Sequence, residues 1–260
     1  MQIAVRVARI GNKILSFIVI VFILLMFTYG GYSLWDTAML YRNAYVSDEL
    51  LEFKPSLDEP DAPTFSELMK INSDVCGWLT IDDTHIDYPI VQGEDDMEYI
   101  NKDVYGNFAL SGSIFLNSEN ASDFSDSYTL IYGHHMENGA MFGDVGKFAD
   151  SVYFDTHKTG MLFTNNSEVY EVEIFACLET EAYDVRIYYP TYHEQGNIQE
   201  LLEYIEENAV AYRNINVKSS DCIIGLSTCD ESSTNGRIVL FGKLTKINTF
   251  RKGVPEEHYD

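Results

Sequence analysis

Positive charge is what this chain has least of. Lys and Arg number 17 against 41 Asp and Glu in 260 residues, for a formal net charge of −24. A footprint on a phosphate backbone needs clustered cations, so nucleic acid is excluded as a partner. The carboxylates read as a solvated, self-repelling surface. Cysteine is scarce as well: Cys76, Cys177, Cys222 and Cys229 include no CxxC pair of the kind that holds a metal. A chain this large does not need disulfide staples, so four thiols are expected, with Cys76, Cys177 and Cys222 buried as small core residues. There is no internal repeat and no second long apolar run.

One stretch lacks charge altogether. Ile14 to Trp35 is dominated by Ile, Val, Leu and Phe, long enough to cross a hydrocarbon core of about 30 Å as a helix. Arg6, Arg9 and Lys13 precede it. By the positive-inside tendency, residues 1–13 are cytoplasmic, 14–35 form a membrane anchor, and everything after Trp35 lies outside the cell. The aromatic run from Tyr29 to Trp35 is unlike a small-residue cleavage site, so the anchor is expected to stay uncleaved.

Residues 36–63 read as a stalk or N-terminal helix, with Leu40, Tyr41, Tyr45 and Leu50 at helical spacing, followed by Pro55, Pro60 and Pro63. Thr64 to Glu67 has the spacing of a capping box, which predicts a short helix to about Ile71. The pattern then changes to short strands: Trp78–Ile81, Ile86–Val91, Gly112–Leu116 and Tyr128–Tyr132, read as a meander. Met141–Phe148 is expected as a short helix, and Met161–Thr164 with Val169–Leu178 as a hairpin. Asn197 to Tyr212 places Ile198, Leu201, Leu202 and Ile205 on one face, a helix for the outside of the fold. Many short strands and few helices predict a mainly β protein, a closed or partly closed barrel with peripheral helices. It would occupy residues 64–249, with a polar tail over 250–260.

The chemistry concentrates at the last hairpin. Cys222–Thr228 is a short apolar run, and Asn235-Gly236 is a turn signal that opens Arg237 and Ile238–Phe241. Antiparallel pairing brings Cys229 and Arg237 to the same sheet edge. Side chains alternate along a strand, which puts Ile223, Gly225, Ser227 and Cys229 on one face. Small Gly225 and Ser227 leave that face open to an extended peptide, while Cys222, Ile224 and Leu226 read as core. A thiol needs a nearby cation or base to act as a nucleophile. Arg237 supplies donors for an oxyanion but stays protonated, so a proton carrier is still required. Of the six histidines, His134 and His135 follow Tyr128–Gly133, a strand running into a glycine turn, and spacing does not choose between them.

Leu226-Ser227-Thr228-Cys229 followed by Arg237, with Tyr132-Gly133-His134 upstream, resembles the active-site signature of the sortases, membrane-anchored cysteine transpeptidases of Gram-positive bacteria. Gly77-Trp78-Leu79, Tyr88-Pro89-Ile90-Val91-Gln92 and Gly112-Ser113-Ile114-Phe115 extend the likeness over roughly residues 64–244. Class B is most similar, because a helix precedes the cysteine strand and the N-terminus alone carries an anchor, whereas the pilus-building class C enzymes usually add a second hydrophobic segment at the C-terminus. Gly225 departs from the family, which more often has Thr there.

The resemblance implies that Cys229 is the nucleophile, His134 the general acid and base, and Arg237 the oxyanion and substrate clamp, with Ser227 and Thr228 beside the substrate and His135 a bystander. It implies cleavage of a C-terminal sorting signal after its Thr, a thioacyl-enzyme, and transfer to an amine of a lipid-linked cell-wall precursor or a pilin. Secreted proteins bearing that signal would be the substrates. No metal or cofactor is expected. Two rival readings remain: a hydrolytic cysteine protease, and a catalytically silent surface or adhesion domain with a buried Cys229.

Overall fold

The computed structural model describes residues 2–41, 44–57, 63–190, 198–229 and 235–247. The polar tail from Arg251, the loop over 230–234 and the expected helix start at Asn197 lie outside the described residues. The chain divides into two units, Met1–Arg42 and Asn43–Asp260.

The first unit holds one helix, α1 (Gln2–Tyr41). It runs past both ends of the uncharged stretch because neither flank carries a proline, and a nucleated helix propagates cheaply. It is long and apolar enough to cross a membrane, and none of its apolar window is buried.

The second unit begins with α2 (Asp48–Leu51), capped by Ser47, whose side chain accepts from the Leu50 N–H. It continues through α3 (Pro63–Ile71), β1 (Val75–Ile81), β2 (Asp87–Val91), β3 (Ile114–Leu116) and β4 (Tyr128–Tyr132). The expected helix at Met141–Phe148 is instead a pair of 3-10 stretches, Glu137–Gly139 and Gly143–Ala149. Glycines at 143 and 146 weaken an α-helix there. Next come α4 (Ser151–Thr156), β5 (Thr159–Thr164), β6 (Val169–Glu181), α5 (Val185–Tyr188) and α6 (Ile198–Asn208). The predicted helix to Tyr212 stops at Asn208, and Ala211–Tyr212 forms β7 against Ala176 and Cys177 of β6. The chain then runs through β8 (Cys222–Cys229) and β9 (Gly236–Lys246).

The strands run in the order β5-β1-β2-β3-β4-β8-β9-β6, and pairing of β6 with β5 closes the barrel, with β7 added outside β6. The expected meander is corrected in two places: β2 pairs with β3 in parallel, and β4 with β8 in parallel. A meander requires a short turn at each step. Here long connections, Gln92–Ser113 among them, carry the chain back to the end from which it started. Asn120 fixes the start of β4, its side chain donating to the Tyr128 carbonyl at 2.9 Å and accepting from Leu130 N–H at 2.9 Å.

Helix α6 lies over the outer face of β4, β8, β9 and β6. Ile198, Leu201 and Ile205 pack with Tyr128, Leu130, Phe175, Ile223, Val239 and Phe241. This overturns part of the expected facing of β8. The side of Ile223 and Gly225 is covered, because the helix needs an apolar floor and the Tyr128 ring fills the space above Gly225. Cys222, expected in the core, is half-buried at the strand's start. Cys76, Cys177, Cys222 and Cys229 are all free thiols. Burial raises the Cys76 and Cys177 thiols above the usual range, Cys177 to about 12, which makes both inert.

Candidate active site

Cys229 ends β8 and is exposed. Its partner across the ladder is Arg237, the second residue of β9. The pairing follows from two β-branched runs that meet in register, Thr228 opposite Ile238 and Ser227 opposite Val239. Arg237 is half-buried and its Nη1 donates to the Gly236 carbonyl at 2.8 Å, which keeps the guanidinium near the strand end.

The histidine turn arrives from the other side of β8. Tyr132 of β4 is level with Ser227, and the Gly133 N–H donates to the Ser227 carbonyl at 3.1 Å, two residues before the thiol. Residue 133 has no room for a side chain: a Cβ there would lie 2.5 Å from Ile114 Cδ1 and 2.7 Å from the Phe142 ring. Glycine lets the backbone pass between them and present His134. That half-buried ring has Nε2 at 2.9 Å from the Ile100 carbonyl. A carbonyl only accepts, so Nε2 carries a proton and Nδ1 is the ring atom that can gain or lose one.

A cavity of about 390 Å³ lies beside these groups, lined by Ile100, Phe115, Tyr132, Tyr188, Tyr189 and Arg237 among others. Tyr132 and Tyr188 stack at 6.4 Å between ring centroids, and Phe115 packs on Tyr132 at 5.2 Å. The Tyr188 hydroxyl is 3.0 Å from Ser227 Oγ. Burial pushes the Tyr188 phenol up to about 12 against the opposing charge of Arg237, so it stays protonated. Ser227 and Thr228 are each only 2% exposed, which places them beneath the cavity rather than on its surface.

The structure therefore sets Cys229 opposite Arg237 and brings the turn that carries His134 to the same end of β8. Sequence reasoning missed the wall opposite, α5 with Tyr188, and the carbonyl of Ile100. The tyrosines at 183, 188 and 189 were the available signal, but four helical residues are too few for a periodic pattern.

Residues 79–245 match the family model of the sortase domain. The chain is 35% identical over 234 residues to sortase B of Listeria monocytogenes, covering 84% of this chain and 92% of that protein. The chain belongs to the sortase family. Among solved structures, a class B sortase of Streptococcus pyogenes involved in pilus biogenesis is 42% identical with a TM-score of 0.66, covering 70% of this chain and 97% of that one. A mutant form of Clostridium perfringens sortase B is 30% identical with a TM-score of 0.70, covering 76% and 96%. The sortase is accordingly a cysteine transpeptidase of class B, and the closed eight-stranded barrel with few helices matches the family's fold.

Proposed function

We propose that this sortase cleaves a C-terminal sorting signal after its Thr and transfers the acyl group to an amine, with Cys229, His134 and Arg237 as its reacting groups. The observation that carries the reading is the Cys229–Arg237 pair at the end of β8, with the Gly133–His134 turn bonded to Ser227 beside it. The Cys229 thiolate attacks the scissile carbonyl, and the Arg237 guanidinium donates to the oxyanion that forms. His134 passes a proton from Nδ1 to the leaving amine, and the C–N bond breaks to leave a thioester. An incoming amine loses its proton to Nδ1, attacks the thioester and releases the thiol. Ser227 and Thr228 act as the buried floor under the scissile bond, and the Tyr132, Tyr188 and Phe115 rings form the wall along which the signal lies.

The acceptor is an amine of a lipid-linked cell-wall precursor or of a pilin. The S. pyogenes relative's involvement in pilus biogenesis favours the pilin for a chain so similar to it, and Staphylococcus aureus sortase B has been solved with a substrate and with triglycine. Helix α1 would hold the enzyme at the outer membrane surface with its N-terminus in the cytoplasm, concentrating it near signals and acceptors held at the same surface. Incubating the enzyme with candidate signal peptides and an amine, with mass analysis of the products, tests the reading. An amide at the Thr carbonyl supports it. Free acid alone in the presence of amine would make the protein a hydrolase.

A further inference from the structure

Between His134 and Asp144 the chain makes a tight excursion that the catalytic reading does not explain. The Phe142 N–H donates to the His134 carbonyl at 3.0 Å, and His135 bridges to Met141, so the base of the excursion is the histidine's own backbone. Inside it the φ angles of Asn138, Gly139 and Met141 are 59°, 78° and 54°. Gly139 is required, since a Cβ there would lie 2.3 Å from Asp144 Oδ1 and 2.6 Å from His85 Nδ1. Met141 is the unusual member, a long side chain on a left-handed backbone. That conformation costs about 1–2 kcal/mol and persists only where the surroundings impose it.

The surroundings are supplied by Tyr88. This β2 residue is 5% exposed, and its hydroxyl accepts from the Met141 N–H at 2.9 Å while donating to the Ala44 carbonyl at 2.9 Å. Burial pushes its phenol up to about 12, so the hydroxyl keeps the proton that it donates. A second link runs in parallel. Tyr45 donates its hydroxyl to the Asn138 carbonyl at 3.0 Å and sets its ring edge-on to His85. His85 in turn places its backbone N–H and Nδ1 each 2.8 Å from Asp144 Oδ2. The excursion is thus gripped by Ala44 and Tyr45, residues that follow α1 closely in the chain, and by the β1–β2 turn.

We propose that Tyr88 is a positioning residue for the reaction, its hydroxyl fixing the Met141–Phe142 backbone that carries His134 and tying it to the segment leading out of α1. The proposal rests on the reading of His134 as the acid and base. A proton carrier on a loosened turn samples the productive geometry less often, and misplacement by an ångström is enough to slow the step.

Tyr88→Phe in the full chain in detergent tests this, because it keeps the ring and removes only the hydroxyl. Tyr170→Phe is the control, its hydroxyl bonding Glu168 on the far side of the barrel. With Tyr88→Phe, kcat for the signal peptide should fall about ten-fold with KM within about two-fold. The NMR signal of the His134 ring should move, and Cys229 should react with a small thiol reagent at the wild-type rate. Tyr45→Phe should give a smaller change in the same direction, and Tyr170→Phe none in kcat. A Tyr88→Phe enzyme with wild-type kcat and a lowered melting temperature overturns the proposal, leaving a structural tyrosine. Were His134→Ala to retain turnover, the acid–base reading would fall by itself, and the ring signal would still decide: displaced in Tyr88→Phe, the brace stands, and undisplaced, it is overturned.

Discussion

Cys229 and Arg237 form the last pair of the β8–β9 ladder, each the other's direct neighbour across the strands. A guanidinium fixed there meets the oxyanion where it develops and has no distance to travel. Arg237→Ala is expected to lower kcat/KM by about 10²–10³. Arg237→Lys should recover only a fraction, since an ammonium cannot reproduce the planar fork. Single-turnover kinetics with signal peptide check both, and labelling of Cys229 at the wild-type rate would show that the thiol itself is intact. A wild-type rate in Arg237→Ala would remove the clamp from the mechanism.

The two adjacent histidines are expected to behave differently. His134 is oriented by the Ile100 carbonyl at 2.9 Å and follows the glycine that closes on Ser227. His135 points from the next position of the turn, and its backbone bridges to Met141. His134→Ala should cost about 10²–10⁴ in kcat, the usual worth of a positioned proton carrier, while His135→Ala should keep most of the rate. Equal losses from the two substitutions would undo the assignment.

The barrel and the reacting pair were legible because each rests on a local pattern. Asn235-Gly236 between two apolar runs fixes the hairpin register, and register alone places Cys229 opposite Arg237. The facing of β8 was read wrongly at Ile223 because alternation says which residues share a side and not what covers it. The cover, α6, is held by contacts from a distant part of the chain. The parallel pairings of β2 with β3 and β4 with β8 were likewise hidden, since strand direction depends on where a long connection returns. Tyr188 was missed for a related reason: its role comes from a stack on Tyr132 and a hydroxyl contact to Ser227, neither near it in sequence.

Gly225 has a packing role that can be measured. A Cβ at this position would lie 2.9 Å from the Tyr128 hydroxyl and 3.2 Å from both Tyr128 Cε2 and Val239 Cγ1. Tyr128 is 1% exposed and belongs to the cluster beneath α6, so it has little room to yield. Gly225→Ala is expected to destabilise the fold by about 1–3 kcal/mol through overpacking, and Gly225→Thr by more. Adding Tyr128→Phe removes the nearest atom and should restore part of the loss to Gly225→Ala. Urea unfolding of the four corners of that double-mutant cycle measures the coupling, and strict additivity would mean that the two residues do not compete for the same space.

Asp184 makes the wall of the cavity sensitive to acid. Its carboxylate caps α5 by accepting from the Arg186 N–H at 3.1 Å, and it also binds the Arg186 guanidinium at 3.0 Å and the Tyr204 hydroxyl at 2.7 Å. Burial works to raise its pKa, but Arg186 and Tyr204 outweigh it and hold the carboxyl below the ordinary aspartate value. A group whose folded pKa is depressed stabilises the fold in its charged form. That contribution is complete above the unfolded value of about 4 and is lost as the pH falls through the folded value. Asp184→Asn removes the charge at every pH. Its melting temperature should lie below wild type at pH 7, and the gap should narrow as the pH drops below about 4. The amides of α5 should exchange faster in the variant at neutral pH, and the KM for signal peptide should rise more than kcat falls, because Tyr188 stands at the end of that helix. A constant difference in melting temperature from pH 7 down to pH 3 would show that the carboxylate's charge contributes nothing to holding the wall.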